Sequence, residues 1–347
     1  MITRKTAFMA LTLALATTAQ SLPGYTNGTV NIYSYRQDFL IRPLLAEFTK
    51  KTGIKTSIIF ASKGLSERIA AEGSQSPADV LLTVDIGTLT SAAEKGITQP
   101  VKSAAIEAQL PQQYRDKDGR WFALTQRARV VYASKDRVKQ NTITYEELAT
   151  PKWKGRICIR SGQHVYNIAL FASMIAHLGP EKTKTWLTGL KNNLARRPSG
   201  NDRAGVKGIY AGECDIAIGN TYYMAKMQTN DKQPEQKKWA AAVKILFPNS
   251  EGRGTHMNVS GMALAMHAPN KAAAIKLMEF LASGEAQKIY ASVNYEYPVS
   301  SNVAWSDLVK SWGTFKPDNI SLGRLSALRK AASEMVDEVN FNAGPAR

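Results

Sequence analysis

The chain is poor in the residue types from which most transition-metal sites are built. It has two cysteines and four histidines in 347 residues. The histidines, His164, His177, His256 and His267, show no metal-ligand spacing. A zinc site is disfavoured, because zinc sites combine closely spaced cysteine and histidine ligands. The sequence also lacks an Asp-rich loop of the EF-hand type, which disfavours calcium.

Recognised catalytic signatures are missing as well. The sequence has no Gly-x-Ser-x-Gly elbow, no Walker loop and no dinucleotide fingerprint after its first predicted strand. Asp79 and Asp85 could form an acid pair, but they are better explained as the start of a strand and the cap of the next helix. His164 could serve as a base, although a lone surface histidine is the better explanation. We therefore expect a protein that is not an enzyme.

Acidic residues are scarce relative to basic ones, with 28 Asp and Glu against 45 Lys and Arg and a net charge of +17. The basic residues are scattered, and no stripe interleaves them with aromatic residues as on a nucleic-acid surface. We expect a solvated basic surface and no nucleic-acid partner. The hydrophobic fraction of 44% is typical of a globular protein, and the length allows two domains.

The first twenty residues differ from the rest. A basic start at Arg4 and Lys5 precedes an almost wholly apolar run from 7 to 16 and then small residues. This layout predicts a signal peptide over residues 1–20, cleaved near residues 19–21, and hence a periplasmic protein. In an oxidising compartment the two cysteines, Cys158 and Cys214, are expected to form one disulfide, rather than remain as buried thiols.

Strand and helix patterns alternate along the chain and predict an α/β fold with parallel strands and right-handed crossovers. The predicted strands and helices include 30–33, 39–51, 54–60, 65–72, 78–84, 129–133, 153–159, 167–178, 183–192, 209–218, 261–267 and 271–283. The polar stretch 228–238 is expected to be a surface loop. Because strand character returns after 260, the chain is expected to pass between two lobes more than once.

Tyrosines follow three of the predicted strands, where ligands bind in open α/β sheets. Cys158 precedes Tyr166 by eight residues, and Cys214 precedes Tyr222 by the same eight. If the cysteines are bonded, the loops that follow them bring Tyr166 and Tyr222 to the same end of the sheet. Any single tyrosine could be an ordinary core or rim residue. Several converging phenols suit a hard, highly charged cation that deprotonates them, and Fe3+ fits this description.

Several segments together resemble the ferric-ion-binding proteins of bacterial iron ABC transporters, the FbpA/FutA-like group of extracellular solute-binding proteins. The segments are 30–37 (Val-Asn-Ile-Tyr-Ser-Tyr-Arg-Gln), 76–80 (Ser-Pro-Ala-Asp-Val), 127–130 (Arg-Ala-Arg-Val), 160–162 with Tyr166-Asn167, 219–223 (Gly-Asn-Thr-Tyr-Tyr), 254–256 and 295–299. The resemblance implies a two-lobed periplasmic-binding-protein clamshell with discontinuous lobes and a hinge of crossing strands. It also implies transfer of Fe3+ to a membrane permease by a monomer.

The resemblance implies a set of ligands. Tyr166, Tyr222 and Tyr223 would be phenolate ligands from the C-lobe, and Tyr35 would be the ligand from the N-lobe, with Tyr33 as the alternative. Gln37 stands where some members have a histidine. Arg127, with Arg36 and Gln37, would lie beside the metal and balance the tyrosinate charge or hold a synergistic anion such as carbonate.

The expected lobe limits are 28–124 for the first part of the N-lobe, 125–248 for the first part of the C-lobe and 249–298 for the return to the N-lobe. Residues 299–347 are expected to form C-terminal helices that pack mainly on the C-lobe. Two rival functions stay open. The arginines at 36, 127 and 160 would suit a binding protein for a small anion such as phosphate. An exported iron enzyme would need a mixed histidine and carboxylate set.

Overall fold

The computed structural model describes residues 28–345, so the predicted signal peptide and its cleavage site lie outside the described residues. Ten strands occur in this part of the chain: β1 (Thr29–Ser34), β2 (Lys55–Phe60), β3 (Val80–Thr83), β4 (Thr98–Gln99), β5 (Phe122–Ser134), β6 (Ile157–Cys158), β7 (Ile216–Asn220), β8 (Val243–Leu246), β9 (Met257–Ala265) and β10 (Tyr297–Pro298).

The α-helices between residues 28 and 345 are α1 (Asp38–Thr52), α2 (Leu65–Glu72), α3 (Ile86–Glu94), α4 (Ala104–Gln109), α5 (Val165–Leu178), α6 (Pro180–Asn192), α7 (Asp202–Tyr210), α8 (Thr221–Gln228), α9 (Glu235–Ala241), α10 (Lys271–Ala282), α11 (Gly284–Val293), α12 (Asp307–Lys310), α13 (Leu322–Ala327) and α14 (Arg329–Glu338). Short 3-10 helices cover Gly73–Gln75, Gln112–Tyr114, Glu146–Ala149, Pro151–Trp153 and Phe341–Ala343. None of the described helices is long and apolar enough to cross a membrane.

The sheet begins with a parallel group. β1 pairs with β2 and β3 in parallel, as the alternation of strands and helices predicted. β9 then pairs antiparallel to β3, and the strand order runs β2-β1-β3-β9-β5-β7-β6. β9 therefore returns, after more than 170 residues in other elements, to the neighbourhood of the first strands.

One long strand joins two halves of the molecule. Over 122–128, β5 pairs with β9, and over 129–134 it pairs with β7 and β8. We call β1–β4, β9, α1–α4, α10 and α11 the N-lobe, and β6–β8, α5–α9 and α14 the C-lobe. Each lobe has its own hydrophobic core, and β5 contributes its first residues to one and its last residues to the other. A strand shared in this way is a natural hinge.

The C-terminal segment contacts both cores. Leu325 of α13 is buried in the N-lobe core, whereas Val336 of α14 and Phe341 are buried in the C-lobe core. The residue limits expected for the lobes stay a prediction.

Two local predictions were wrong. The stretch expected to be a loop contains α9, in which Gln236 and Ala240 are buried. Its apolar face is so short that the charged sequence around it hides the helical pattern. The predicted segment 209–218 begins too early, because Ile209 lies in the last turn of α7.

Cys158 and Cys214 form the expected disulfide, with Cα atoms 5.8 Å apart. It connects the end of β6 to the segment that leads into β7, and these strands pair in parallel, with Cys158 opposite Ala217. The two strand ends therefore point in the same direction, and α5 and α8 begin at the same edge of the sheet.

Candidate functional site

A cavity of ≈ 360 Å³ lies where the two lobes face each other. It is lined by all of the tyrosines, arginines and the glutamine proposed for the site: Tyr35, Tyr166, Tyr222, Tyr223, Arg36, Arg127 and Gln37. It is also lined by residues that the sequence did not single out as neighbours of a metal: Phe60, Ser62, Gln163, His164, Ser260 and Glu296, together with Arg160. The structure therefore brings the predicted set together in one place.

Tyr166 and Tyr222 face each other across the C-lobe side of the cavity. Their hydroxyl oxygens lie 3.2 Å apart, as the matched spacing from the two cysteines predicted. Tyr166 is in the first turn of α5, and Tyr222 is in the first turn of α8. Both side chains are buried, at 7% and 4% exposure. Two phenols this close can share one hydrogen bond or bind one cation.

Tyr223 lies beside Tyr222, with ring centroids 4.2 Å apart. The two adjacent residues reach the same cavity from the first turn of α8, directly after β7 ends. Asn220 occupies the N-cap position of α8, but its side chain does not cap the helix. Its Oδ1 instead accepts a hydrogen bond from Arg129 at 3.0 Å.

Three guanidinium groups surround the ring of Tyr166. The central carbons of Arg127, Arg129 and Arg160 lie 5.6, 5.8 and 5.3 Å from its centroid. Cations near an aromatic face are attracted by the ring, and they also stabilise a phenolate electrostatically. The arrangement places three positive charges around the ring of Tyr166.

Asp202 balances part of this positive charge. It accepts hydrogen bonds from Arg129 at 2.6 Å, from Arg160 at 3.2 Å and from the backbone N–H of Asn220 at 2.9 Å. Burial alone would raise the pKa of Asp202, but Arg129 and Arg160 outweigh it and hold the pKa below its usual range. Asp202 is therefore an ionised anchor that fixes both arginines beneath the tyrosines.

The phenols of Tyr222 and Tyr223 do not ionise by themselves. Burial, and then the neighbouring Tyr166, raises the pKa of Tyr222 well above its ordinary value. The same two causes raise the pKa of Tyr223. Both groups are neutral at physiological pH unless a strongly charged cation displaces their protons.

The N-lobe contributes Tyr35. Its hydroxyl accepts a hydrogen bond from the backbone N–H of Ser66 at 2.8 Å and donates to the Oγ of Ser66 at 3.1 Å. Tyr33, the alternative ligand from the N-lobe, is not among the described residues that line the cavity. Its hydroxyl donates to Glu72 at 2.8 Å, at the far end of α2. Residues two apart follow the same face of a strand, so both tyrosines lie along α2, but only Tyr35 reaches the cavity.

Arg36 and Arg127 meet at Ser260 on β9. Their Nη1 atoms donate to the Oγ of Ser260 at 2.7 and 2.9 Å. Arg36 is also paired with Glu296, whereas Arg127 has no carboxylate partner among residues 28–345 and donates to the carbonyl of Val84. The charge of Arg36 is thus neutralised within the protein, and that of Arg127 is available to the cavity.

Gln37 is exposed at the N-cap position of α1, and its side chain makes no capping hydrogen bond there. It lines the mouth of the cavity. Of the three residues proposed to lie beside the metal, it is the least constrained.

His164 is not the lone surface histidine that the sequence suggested. It caps α5, where its Nδ1 accepts a hydrogen bond from the backbone N–H of Tyr166 at 3.2 Å. Its ring packs edge-on against that of Tyr166, with centroids 4.5 Å apart. Burial and the nearby Arg160 lower the pKa of His164 to about 3, so the imidazole is neutral and acts as an acceptor. Its position two residues before Tyr166, at a helix start, was the signal in the sequence.

The sequence is similar to those of known bacterial binding proteins. Residues 75–317 match the model of a family described as bacterial extracellular solute-binding protein. Iron uptake protein A1 of Synechocystis is 45% identical over 314 residues, which cover 90% of this chain and 87% of that protein.

Solved structures with a similar fold include those of ferric ion-binding proteins. The crystal structure of the apo ferric ion-binding protein A of Pasteurella haemolytica has a TM-score of 0.87 and 51% identity, and the match covers 90% of this chain and 98% of that one. The Trichodesmium protein IdiA (FutA), solved in complex with iron and citrate ligands, has a TM-score of 0.84 and 42% identity, with 90% and 100% of the two chains covered.

Proposed function

The chain belongs to the bacterial extracellular solute-binding protein family, and from this premise we propose that it captures ferric iron between its two lobes for uptake. The predicted family and the predicted two-lobed clamshell fold are confirmed. The observation that carries the proposal is the cluster of Tyr166, Tyr222 and Tyr223 in one cavity, with two hydroxyl oxygens 3.2 Å apart. Tyr35 approaches from the opposite lobe and completes the ligand set.

The chemistry of this cluster selects for a hard, trivalent cation. Buried phenols with raised pKa values are poor ligands for weakly polarising ions, because each must lose a proton before it binds. Oxygen-only ligands suit hard cations, and phenolate suits Fe3+. In the described residues no group of three or more His, Cys, Asp or Glu side chains is placed to hold a metal. The tyrosines are therefore the site's metal-binding groups.

Charge balance explains the arginines. Fe3+ with four tyrosinates carries −1, and with three tyrosinates it carries 0. Arg127 has no carboxylate partner among residues 28–345, so its guanidinium supports the four-tyrosinate site directly. With three tyrosinates, the same guanidinium holds a synergistic anion such as carbonate at the metal.

The protein acts outside the cytoplasm and not as an enzyme. It is exported to the periplasm with cleavage of its signal peptide near residues 19–21, binds iron as a monomer and delivers it to an ABC transporter permease. We expect neither a nucleic-acid partner nor a catalysed reaction. The lobes open and close about β5, the strand that both of them share.

A small inorganic anion is the rival ligand. The observation that favours it is the charge of Arg127, which has no carboxylate partner among the described residues. Phosphate sites use several backbone and hydroxyl donors. Here three phenols fill the C-lobe side of the cavity. We therefore rank iron first.

Addition of ferric nitrilotriacetate to the purified apoprotein tests the proposal. An intense visible band from tyrosinate-to-iron charge transfer is expected, and it should saturate at one iron per chain. The Tyr210→Phe variant, altered at a half-exposed tyrosine, is the matched control and should develop the same band. A wild-type protein that stays colourless and instead binds inorganic phosphate would overturn the assignment.

A further inference from the structure

Lys226 connects the helix that carries the tyrosine pair to the opposite lobe. Its Nζ donates a hydrogen bond to the carbonyl oxygen of Val293 at 2.7 Å. We propose that this interlobe bond stabilises the closed form around bound ferric iron and slows the release of the metal. The inference rests on the proposed function and adds a residue that positions the site without touching the metal.

The position of Lys226 on α8 ties it to the ligands. Residues three and four apart lie on the same face of a helix, so Lys226 shares a face with Tyr223 and Tyr222. α8 is held in the C-lobe by Met224 and Met227, which are buried in its core. Any rotation of the C-lobe that moves the phenols away from Tyr35 must therefore move Lys226 as well.

The acceptor belongs to the N-lobe. Val293 is the last residue of α11, and Ala286 and Tyr290 on the same helix are buried in the N-lobe core. The hydrogen bond from Lys226 to Val293 thus spans the two lobes. It links the two lobes independently of β5, the strand that both of them share.

The groups around the ammonium of Lys226 suit a cation. A carbonyl at the C-terminal end of a helix carries partial negative charge, which attracts an ammonium. The ring of Phe39, in the N-lobe, lies 5.6 Å from Nζ and adds cation–π attraction. The ring of Tyr295, which packs against the C-lobe core, lies 5.6 Å from Nζ as well. Tyr295 holds the left-handed backbone conformation, with φ at 59°, which is rare for an aromatic residue. Within residues 28–345, Lys226 is not paired with any carboxylate, so this site is its principal partner.

The same helix also reaches the floor of the cavity. Tyr290 of α11 packs against the guanidinium of Arg36, 5.3 Å from its ring centroid. Arg36 in turn contacts Ser260 and Glu296, both of which line the cavity. The hydrogen bond from Lys226 to α11 therefore connects the helix that carries Tyr222 and Tyr223 to the N-lobe residues that line the cavity.

The test compares iron release from three variants and the wild-type protein. Lys226→Met keeps the length of the side chain but removes the ammonium, and Lys226→Arg restores a cationic donor. Lys207→Met is the matched control, because its ammonium lies over Trp239 within the C-lobe, 5.4 Å from the ring centroid. Each protein is loaded with ferric iron and mixed with excess EDTA, and the loss of the visible band gives the release rate.

Loss of a hydrogen bond from a charged group should accelerate release from Lys226→Met by about ten- to a hundredfold. Lys226→Arg and Lys207→Met should release iron close to the wild-type rate, and the wavelength of the band should be the same in all four proteins. Release from Lys226→Met at the wild-type rate would overturn the inference, and so would a shifted band, which would make Lys226 part of the ligand environment.

Two further outcomes are distinguishable. If the wild-type protein develops no band, the proposed function fails and the interlobe bond has no cargo to retain. If Lys226→Met does not fold, as judged by circular dichroism, Lys226→Gln takes its place, because it also removes the charge. Small-angle scattering of the iron-loaded proteins should show a larger radius of gyration for Lys226→Met or Lys226→Gln than for the wild type and Lys207→Met. An unchanged radius would contradict the inference.

Discussion

Replacing Asp202 by asparagine should destabilise the apoprotein strongly, because Asp202 neutralises two arginines beneath the tyrosines. Its side chain is fully buried, that of Arg129 is 2% exposed, and that of Arg160 is 12% exposed. Asparagine has the same shape but no charge. Two guanidinium groups would then remain buried without their carboxylate.

The size of the effect follows from this burial. Removal of one partner from a buried ion pair costs about 3–5 kcal/mol, because the remaining charge is left uncompensated. An exposed pair contributes at most about 1 kcal/mol. Asp231 forms such a pair with Lys237, so Asp231→Asn is the matched control. Urea unfolding, followed by tryptophan fluorescence, should show a lower midpoint for Asp202→Asn only.

The pH dependence gives an independent check. The pKa of Asp202 is lowered in the native state, so its stabilising contribution is complete above the unfolded value of about 3.9 and is lost as pH falls through the native value. The difference between wild type and Asp202→Asn should therefore shrink below about pH 4. A loss no larger than that of Asp231→Asn at neutral pH, or a difference that grows on acidification, would refute the reasoning.

Three further predictions concern the metal and the disulfide. Tyr222→Phe and Tyr223→Phe should each weaken iron binding at least about tenfold with an unchanged fold, since each removes an ionisable ligand. Unchanged affinity in an iron titration would show that the replaced tyrosine is not a ligand. Iron affinity should fall as pH falls, because the raised pKa values of both phenols mean that binding must release protons; a flat affinity between neutral and acidic pH would count against phenolate ligation. Replacement of Cys158 and Cys214 by serine should lower the free energy of unfolding by about 4 kcal/mol, since the disulfide closes a loop of 56 residues; an unchanged urea midpoint would show that the disulfide contributes little.

Much of the local fold could be predicted from the sequence because its signals are strong. The helix over Leu65–Glu72 has the predicted limits, and Gly53 ends α1 in the left-handed conformation that glycine readily adopts. Asp85 caps α3, where its side chain accepts a hydrogen bond from the N–H of Thr88. The phenol pair of Tyr166 and Tyr222 was predictable because one disulfide sets the register of two parallel strands.

Contacts between residues far apart in the sequence could not be predicted from sequence patterns. Arg36 meets Ser260 and Glu296, which lie 224 and 260 residues away, and no periodicity links them. β5 was predicted only over its apolar end, since Thr125, Gln126 and Arg127 interrupt the hydrophobic pattern. Arg127 is tolerated in a central strand because it lines the cavity, where the Oγ of Ser260 and the carbonyl oxygen of Val84 accept hydrogen bonds from it.

Anomalous diffraction at the iron edge from an iron-soaked crystal would locate the bound metal. One strong peak is expected in the cavity, bonded to the hydroxyl oxygens of Tyr166, Tyr222 and Tyr223 and approached by that of Tyr35. A peak outside the cavity, or one bonded to none of these phenols, would contradict this expectation.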